Sequence, residues 1–237
     1  MSRTIAIVED EAAIRDNFAA ALSRLGYRVL ALESRREAER VFARELPDLV
    51  LIDVGLRDEP EGGFELCRWL RARSATLPIM FVSARDSDPD VISGLRLGAD
   101  DYLSKDASLA QLAARVSGLL RRVEALRRSA AEEGRIEHGP LRLEPERMRI
   151  TWRGVEVPLT VTEFWMVHAL LRVPGAVRSR EQLAEEAHVE ADQAAITSHV
   201  KRIRRKFQAV DPGFDAIETV HGAGYRWRLG DAGQRAG

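Results

Sequence analysis

Leu49-Val50-Leu51-Ile52-Asp53-Val54-Gly55 decides the fold. Four apolar residues run unbroken into one aspartate, and a glycine follows. A short continuous apolar run bounded by turn residues is the pattern of a strand covered on both faces, as in a parallel sheet. Such a strand delivers its last side chain to the carboxyl edge of the sheet, where open α/β sheets place their ligands. An aspartate there has a plainer reading as a turn or helix cap. Its meaning depends on what the rest of the chain brings to the same edge.

Working outward, Thr4-Ile5-Ala6-Ile7-Val8 is a second buried run, and it ends in Glu9-Asp10-Glu11. Ile14, Phe18, Leu22 and Leu25 follow at helical spacing, and Gly26 closes that helix. Residues 27–32 read as a strand. Ser34-x-x-Glu37 is a capping box that opens a helix to about Glu45. Beyond the aspartate, Gly62-Gly63 precede a helix through Phe64, Leu66, Trp69 and Leu70. Residues 78–83 form a strand and residues 89–97 a short helix. Residues 101–104 form a strand ending at Lys105, and a last helix spans 108 to about 128. Five strands alternating with helices predict a doubly wound parallel sheet, class α/β.

The carboxyl ends of those strands supply Glu9 and Asp10, then Asp53, then Ser83, then Lys105. Carboxylates converging on one edge repel one another unless a hard cation neutralises them. Mg²⁺ suits one or two carboxylates together with phosphate oxygens and water. The assembly suits an acyl phosphate on Asp53, with Lys105 and Ser83 holding phosphate oxygens. Taken singly, each residue is equally a strand-end cap or a surface ion pair.

Glu9-Asp10, Asp53, Ser83-Ala84 and Gly98-Ala99-Asp100-Asp101-Tyr102-Leu103-Ser104-Lys105 resemble the receiver domain of two-component response regulators, over about residues 3–122. The resemblance implies a flavodoxin-like domain whose Asp53 accepts phosphate from a sensor histidine kinase. It implies Mg²⁺ on Asp10, Asp53 and the Gly55 carbonyl, with Glu9 acting through water. It makes Ser83 and Tyr102 a switch pair, the hydroxyl turning to the phosphate and the aromatic turning inward. It implies a homodimer on activation, with Asp100, Asp101, Arg115 and Arg122 on the pairing face. Val91 and Gln111 replace a charged pair there. Two departures stand out. Asp106 follows Lys105 where the family has a cis proline; a cis bond without proline costs about 2.5–4 kcal/mol, so a trans bond is expected. The acidic loop from Gly55 to Gly63 is also two residues longer than the family's.

Residues 123–134 lose apolar periodicity after Leu126 and read as a fraying helix end and a polar tether. Residues 135–230 form a second domain, and 231–237 a disordered tail. Turn signals at Gly139-Pro140, Glu144-Pro145 and Arg153-Gly154 divide residues 136–158 into short antiparallel strands. Thr160-x-x-Glu163 and Ser179-x-x-Gln182 are capping boxes opening two helices. A third helix starts near Asp192. Ile196, Val200, Ile203 and Phe207 make its apolar stripe. Thr197, Ser198, Lys201, Arg202, Arg204 and Arg205 are then expected on the opposite face, a composition suited to phosphates and base edges. Residues 217–220 and 225–228 flank His221-Gly-Ala-Gly224 as a hairpin.

Residues 159–164, 179–183, 196–206 and 220–226 are similar to the winged helix-turn-helix domain, of class α+β, of OmpR/PhoB-type transcription factors. The resemblance implies that Thr197, Ser198 and Arg202 approach bases. His199, Lys201 and Arg204 would touch phosphates, and Arg226 would come from the wing. It implies promoter DNA and RNA polymerase as partners. Within that family, Lys105-Asp106 and the long loop resemble regulators paired with the proteobacterial dedicated sortase system.

Composition agrees with this. A chain of 237 residues with 45% hydrophobic and 31% charged content fits two globular domains. One cysteine, Cys67, excludes an internal disulfide and fits a reducing compartment. No apolar run reaches membrane-spanning length and the start lacks a signal-peptide pattern, so a cytoplasmic protein without membrane contact is expected. Net charge is −1, but residues 1–120 carry 16 basic and 20 acidic side chains, and residues 135–230 carry 15 and 13. Arginine is the habitual cation; only Lys105, Lys201 and Lys206 depart from it. Two alternatives to a phosphorylation-switched regulator stay open. One is a regulator that works without phosphate. The other is a phosphatase with an aspartyl-phosphate intermediate, though Asp53-Val54-Gly55 lacks the second aspartate such enzymes carry.

Overall fold

The computed structural model describes residues 3–57, 59–85, 87–133, 135–187 and 193–228, and the side chains of 88, 122, 125–133, 193 and 194 lie outside that description. The chain divides into two compact units, Met1–Val123 and Glu124–Gly237. The tail 231–237, His188 and Asp192 fall outside the described residues.

The first unit runs β1 (Thr4–Val8), α1 (Ala12–Arg24), β2 (Arg28–Leu32), α2 (Arg35–Phe42), β3 (Leu49–Ile52), α3 (Gly62–Arg71), β4 (Ile79–Ser83), α4 (Asp88–Leu97), β5 (Asp101–Ser104) and the part of α5 (Leu109–Glu133) up to Val123. Its sheet has the order β2-β1-β3-β4-β5, and every pairing is parallel. From β1 the chain steps outward to β2, then returns to β3 on the other side of β1. That reversal makes β1/β3 the switch point, where open sheets bind ligands. Val8 pairs with Ile52, so Glu9 and Asp53 leave the sheet side by side.

Alternation along each strand sends side chains to two cores. Val50, Ile52, Ile79 and Phe81 pack with Phe64, Leu66 and Leu70 of α3. Leu49, Leu51, Met80 and Val82 pack with Phe18 and Leu22 of α1 and Leu112, Val116 and Leu119 of α5. All four residues of β3 are buried, as a two-faced strand requires. α5 runs past the expected end near Arg128 and takes in the residues read as a tether. Ala130, Ala131, Glu132 and Glu133 are good helix formers, and helix needs no apolar stripe when propensity is high.

The second unit opens with an antiparallel sheet, β6 (Ile136–His138), β7 (Leu141–Glu144), β8 (Arg149–Trp152) and β9 (Val155–Glu156), each turn falling at an expected signal. Then come α6 (Val161–Arg172), α7 (Arg180–Glu186), α8 (Gln193–Val210) and the hairpin β10 (Ile217–Val220) with β11 (Gly224–Trp227). Thr160 and Ser179 each form a complete capping box. Phe207 from α8 stacks on Phe214 at 4.4 Å between ring centroids, and Trp152 and Trp227 meet both edge-on. Arg178 exchanges backbone hydrogen bonds of 2.7 and 2.9 Å with Tyr225, fastening the wing to the start of α7.

Candidate functional site

The edge between β1 and β3 collects the charges expected there. Glu9, Asp10 and Asp53 each place an oxygen within 4.8 Å of the others. Lys105 reaches in from the end of β5. Its ammonium donates to Asp53 Oδ2 at 2.7 Å and to Glu9 Oε1 at 2.9 Å. Glu9 and Asp53 are buried, and Asp10 is half-buried. Burial pushes the Glu9 carboxyl above its ordinary range, and the neighbouring Asp53 adds to that, against the pull of Lys105. Burial alone would lower the Lys105 ammonium, yet its bonds to Asp53 and Glu9 hold it above its ordinary value. One cation among three acids leaves negative charge over. Three hard oxygen donors around one point fit a divalent cation of the Mg²⁺ type. Gly55 lies half-buried two residues past Asp53 on the same loop.

The backbone frames this cluster. Arg15 of α1 donates to the carbonyl oxygens of Glu9 and Asp10, at 2.8 and 3.2 Å, and so fixes the acidic turn. The Arg57 amide donates to Asp10 Oδ2 at 3.0 Å. Gly63 sits against the end of β3, where a Cβ would lie 1.9 Å from the Asp53 carbonyl oxygen. No described peptide bond is cis, Lys105–Asp106 included.

Ser83 is buried at the end of β4, and its hydroxyl accepts the Arg85 amide at 3.3 Å. Tyr102 points inward. Its ring packs on Phe81 at 5.8 Å, and its hydroxyl donates to the Arg85 carbonyl. Burial raises the phenol to about 12. Gly94 of α4 leaves room for that ring, since a Cβ there would stand 3.0 Å from it. The Arg85 side chain bonds Asp90 at 2.6 Å and the Pro60 carbonyl at 3.3 Å.

In the second unit, α8 exposes Lys201, Arg205 and Gln208, with Thr197 and Arg204 half-buried beside them. Arg204 is tied to the wing through the Ile217 carbonyl and Thr219 Oγ1, both at 2.8 Å. Thr197 shares a 3.4 Å contact with the Tyr225 hydroxyl, and Arg226 pairs with Glu218 at 2.8 Å.

Residues 5–117 match the response regulator receiver domain family, and residues 154–227 match the C-terminal domain family of transcriptional regulatory proteins. The chain is 35% identical over 228 residues to the transcriptional regulatory protein CreB of Escherichia coli K12, covering 95% of this chain and 97% of CreB. It is 35% identical over 226 residues to the sensory transduction protein RegX3 of Mycolicibacterium smegmatis, covering 94% and 98%. This chain is a response regulator of the OmpR/PhoB family. A solved mutant of RitR superimposes with a TM-score of 0.78 at 22% identity, covering 97% of this chain and 100% of that one, a likeness of fold. The response regulator is thus a two-component transcription regulator, and switching by phosphorylation is characteristic of its family.

Two expectations about this regulator's charged residues are overturned. Ser198, His199 and Arg202 do not face outward on α8; they are 7%, 1% and 7% exposed. Arg202 bonds Glu163 and reaches His199 Nδ1 at 2.9 Å. For Arg202 the cause is Glu163, fully buried near the start of α6, where an acid needs cations beside it. Arg202 and Lys206 turn in to meet it, Lys206 at 2.6 Å, so the buried arc of α8 is wider than its apolar stripe. Burial would raise the Glu163 carboxyl, but the two cations and their hydrogen bonds bring it down to about 2. The signal was present in the sequence as the one acid on a mostly apolar helix.

Asp100 likewise cannot serve on an exposed pairing face. It is 0% exposed, and Oδ2 accepts from Arg71 at 2.8 Å and from the Ile79 amide at 3.0 Å. Asp101 and Arg115 pair within the chain at 2.8 Å. The side chain of Arg122 lies outside the described residues. Sequence reasoning missed Arg15 and Arg57, which act on the acidic turn through backbone groups and so leave no motif.

Proposed function

We propose that Asp53 is the phosphoacceptor and that a sensor histidine kinase is the donor. The observation that carries this is the Lys105 bridge between Glu9 and Asp53 at the β1/β3 switch point. An Asp53 oxygen attacks phosphorus; the new O–P bond forms as the P–N bond of a phosphohistidine breaks, and the departing imidazole takes up a proton. Mg²⁺ at Glu9, Asp10 and Asp53, with the Gly55 carbonyl, would offset charge on the acceptor and the transferring group. Lys105 would hold one phosphate oxygen and Ser83 another. Attack by water on the acyl phosphate would reset the site. With acetyl phosphate and Mg²⁺, the protein should gain about 80 Da, one phosphoryl group. Asp53→Asn should gain nothing; equal labelling of that variant sinks the assignment.

For the second unit, Thr197, Lys201 and Arg205 on α8, with Arg226 of the wing, would meet promoter DNA. Phosphorylated protomers would pair through α4, β5 and α5, sit on a direct repeat and engage RNA polymerase in the cytoplasm. No described helix is long and apolar enough to cross a membrane. The inward ring of Tyr102 supports a second reading, a receiver poised to act without phosphate. DNA affinity measured with and without acetyl phosphate separates the two.

A further inference from the structure

The long loop after β3 closes on itself. Leu56 and Glu59 exchange backbone hydrogen bonds of 3.0 and 2.9 Å, an antiparallel bridge that closes the loop as a hairpin. Arg57, just past its first strand residue, has φ 51°, in the left-handed region that favours glycine. That twist aims its amide N–H at Asp10 Oδ2, 3.0 Å away. Glu9 and Asp53 are both held by Lys105; Asp10 is held from the loop instead.

The hairpin is braced from outside the acidic cluster. Arg35, the first residue of α2, bonds Glu59 at 2.5 Å and Glu65 at 3.4 Å. The Arg57 side chain meets Glu33 at 2.6 Å, but both are more than half exposed, so that pair contributes little. Beneath the hairpin, Gly62 lets it settle: a Cβ there would meet the Cβ atoms of Glu59 at 2.9 Å and Leu56 at 3.3 Å.

We infer that this hairpin positions Asp10 for the divalent cation, with the Arg57 amide as donor and Arg35–Glu59 as brace. The inference rests on reading Glu9, Asp10 and Asp53 as a metal site. A donor on one carboxylate oxygen fixes the plane of the group and leaves the other oxygen for the metal. Groups standing behind metal ligands in this way change affinity by about 10–100-fold.

Calorimetric titration of the full chain with Mg²⁺ tests it. Deleting residues 57 and 58 should weaken Mg²⁺ binding by about tenfold. Arg35→Gln should weaken it by about threefold, and Arg35→Lys should restore it. Thermal unfolding in EDTA reports the fold separately, and it decides whether the deletion is interpretable; if that variant does not fold, the Arg35 pair decides alone. Affinity equal to or tighter than that of the unaltered chain, in a folded variant, overturns the inference. So does Arg35→Gln that loses stability but keeps its affinity. If the unaltered chain takes up no Mg²⁺, or Asp10→Asn binds it unchanged, the metal site itself is wrong, not just the hairpin's part in it.

Discussion

Two of the three lysines in this chain bridge to buried carboxylates, and the two clusters are built to opposite ends. Around Lys105, one cation faces three acids at the open edge of a sheet. Around Glu163, two cations close on one acid that has no exposure at all. In the second cluster both oxygens of the acid are taken, Oε1 by Arg202 and Oε2 by Lys206 and the Thr160 amide. It ties the start of α6 to α8. The first cluster cannot balance itself with what it holds. The excess acid of the first cluster is what the proposed divalent cation would offset.

The comparison breaks first at Glu163. Glu163→Gln should destabilise the second unit by about 3–5 kcal/mol, because it strands Arg202 and Lys206. Denaturant unfolding measures it, and a loss below about 1 kcal/mol would mean the cluster is not a keystone. Arg202→Ala should lose stability on the same scale.

Acidity sharpens the same point. The Glu163 carboxyl sits at about 2 in the folded chain against an ordinary 4.5. A depressed folded value stabilises above the unfolded one. The gap between the unaltered chain and Glu163→Gln should therefore hold above pH 4.5 and shrink as pH falls toward 2. A gap that stays level across that window would refute the ion-pair account.

At the other cluster the sign should reverse. Asp10→Asn, with divalent ions removed, should raise stability by about 0.5–1 kcal/mol, since it relieves repulsion and keeps an oxygen for the Arg57 amide. Thermal unfolding in EDTA decides it; destabilisation by that substitution would place this cluster in the same class as Glu163. The smallest effect belongs to the third lysine. Lys201→Ala should weaken binding to all DNA alike and lower the salt slope by about one. Affinity measured across a salt series would contradict this if the slope stayed fixed.

The receiver site was legible because its residues end strands, and a strand end is fixed by a short apolar run. Val8 and Ile52 pair in the sheet, so reading two runs was enough to bring Glu9 beside Asp53. The face of α8 was less legible. Its four-residue stripe located the helix correctly, but a stripe says only where apolar residues go. Arg202 was turned inward by an acid 39 residues back, and His199 bonds it there. Asp100 failed for a similar reason, since its partner Arg71 lies 29 residues upstream on α3. The end of α5 escaped because propensity, not periodicity, carried it.

Gly63 bears on how this chain can change over generations. It has no charge and nothing to ligate with, yet a single methyl there would collide with the backbone of Asp53. Most surface positions offer a ladder of small substitutions, each nearly neutral. Here the first rung is missing. The gentlest replacement available already displaces the residue around which the receiver is built, so drift at position 63 is closed off even while the acids around it keep their identities.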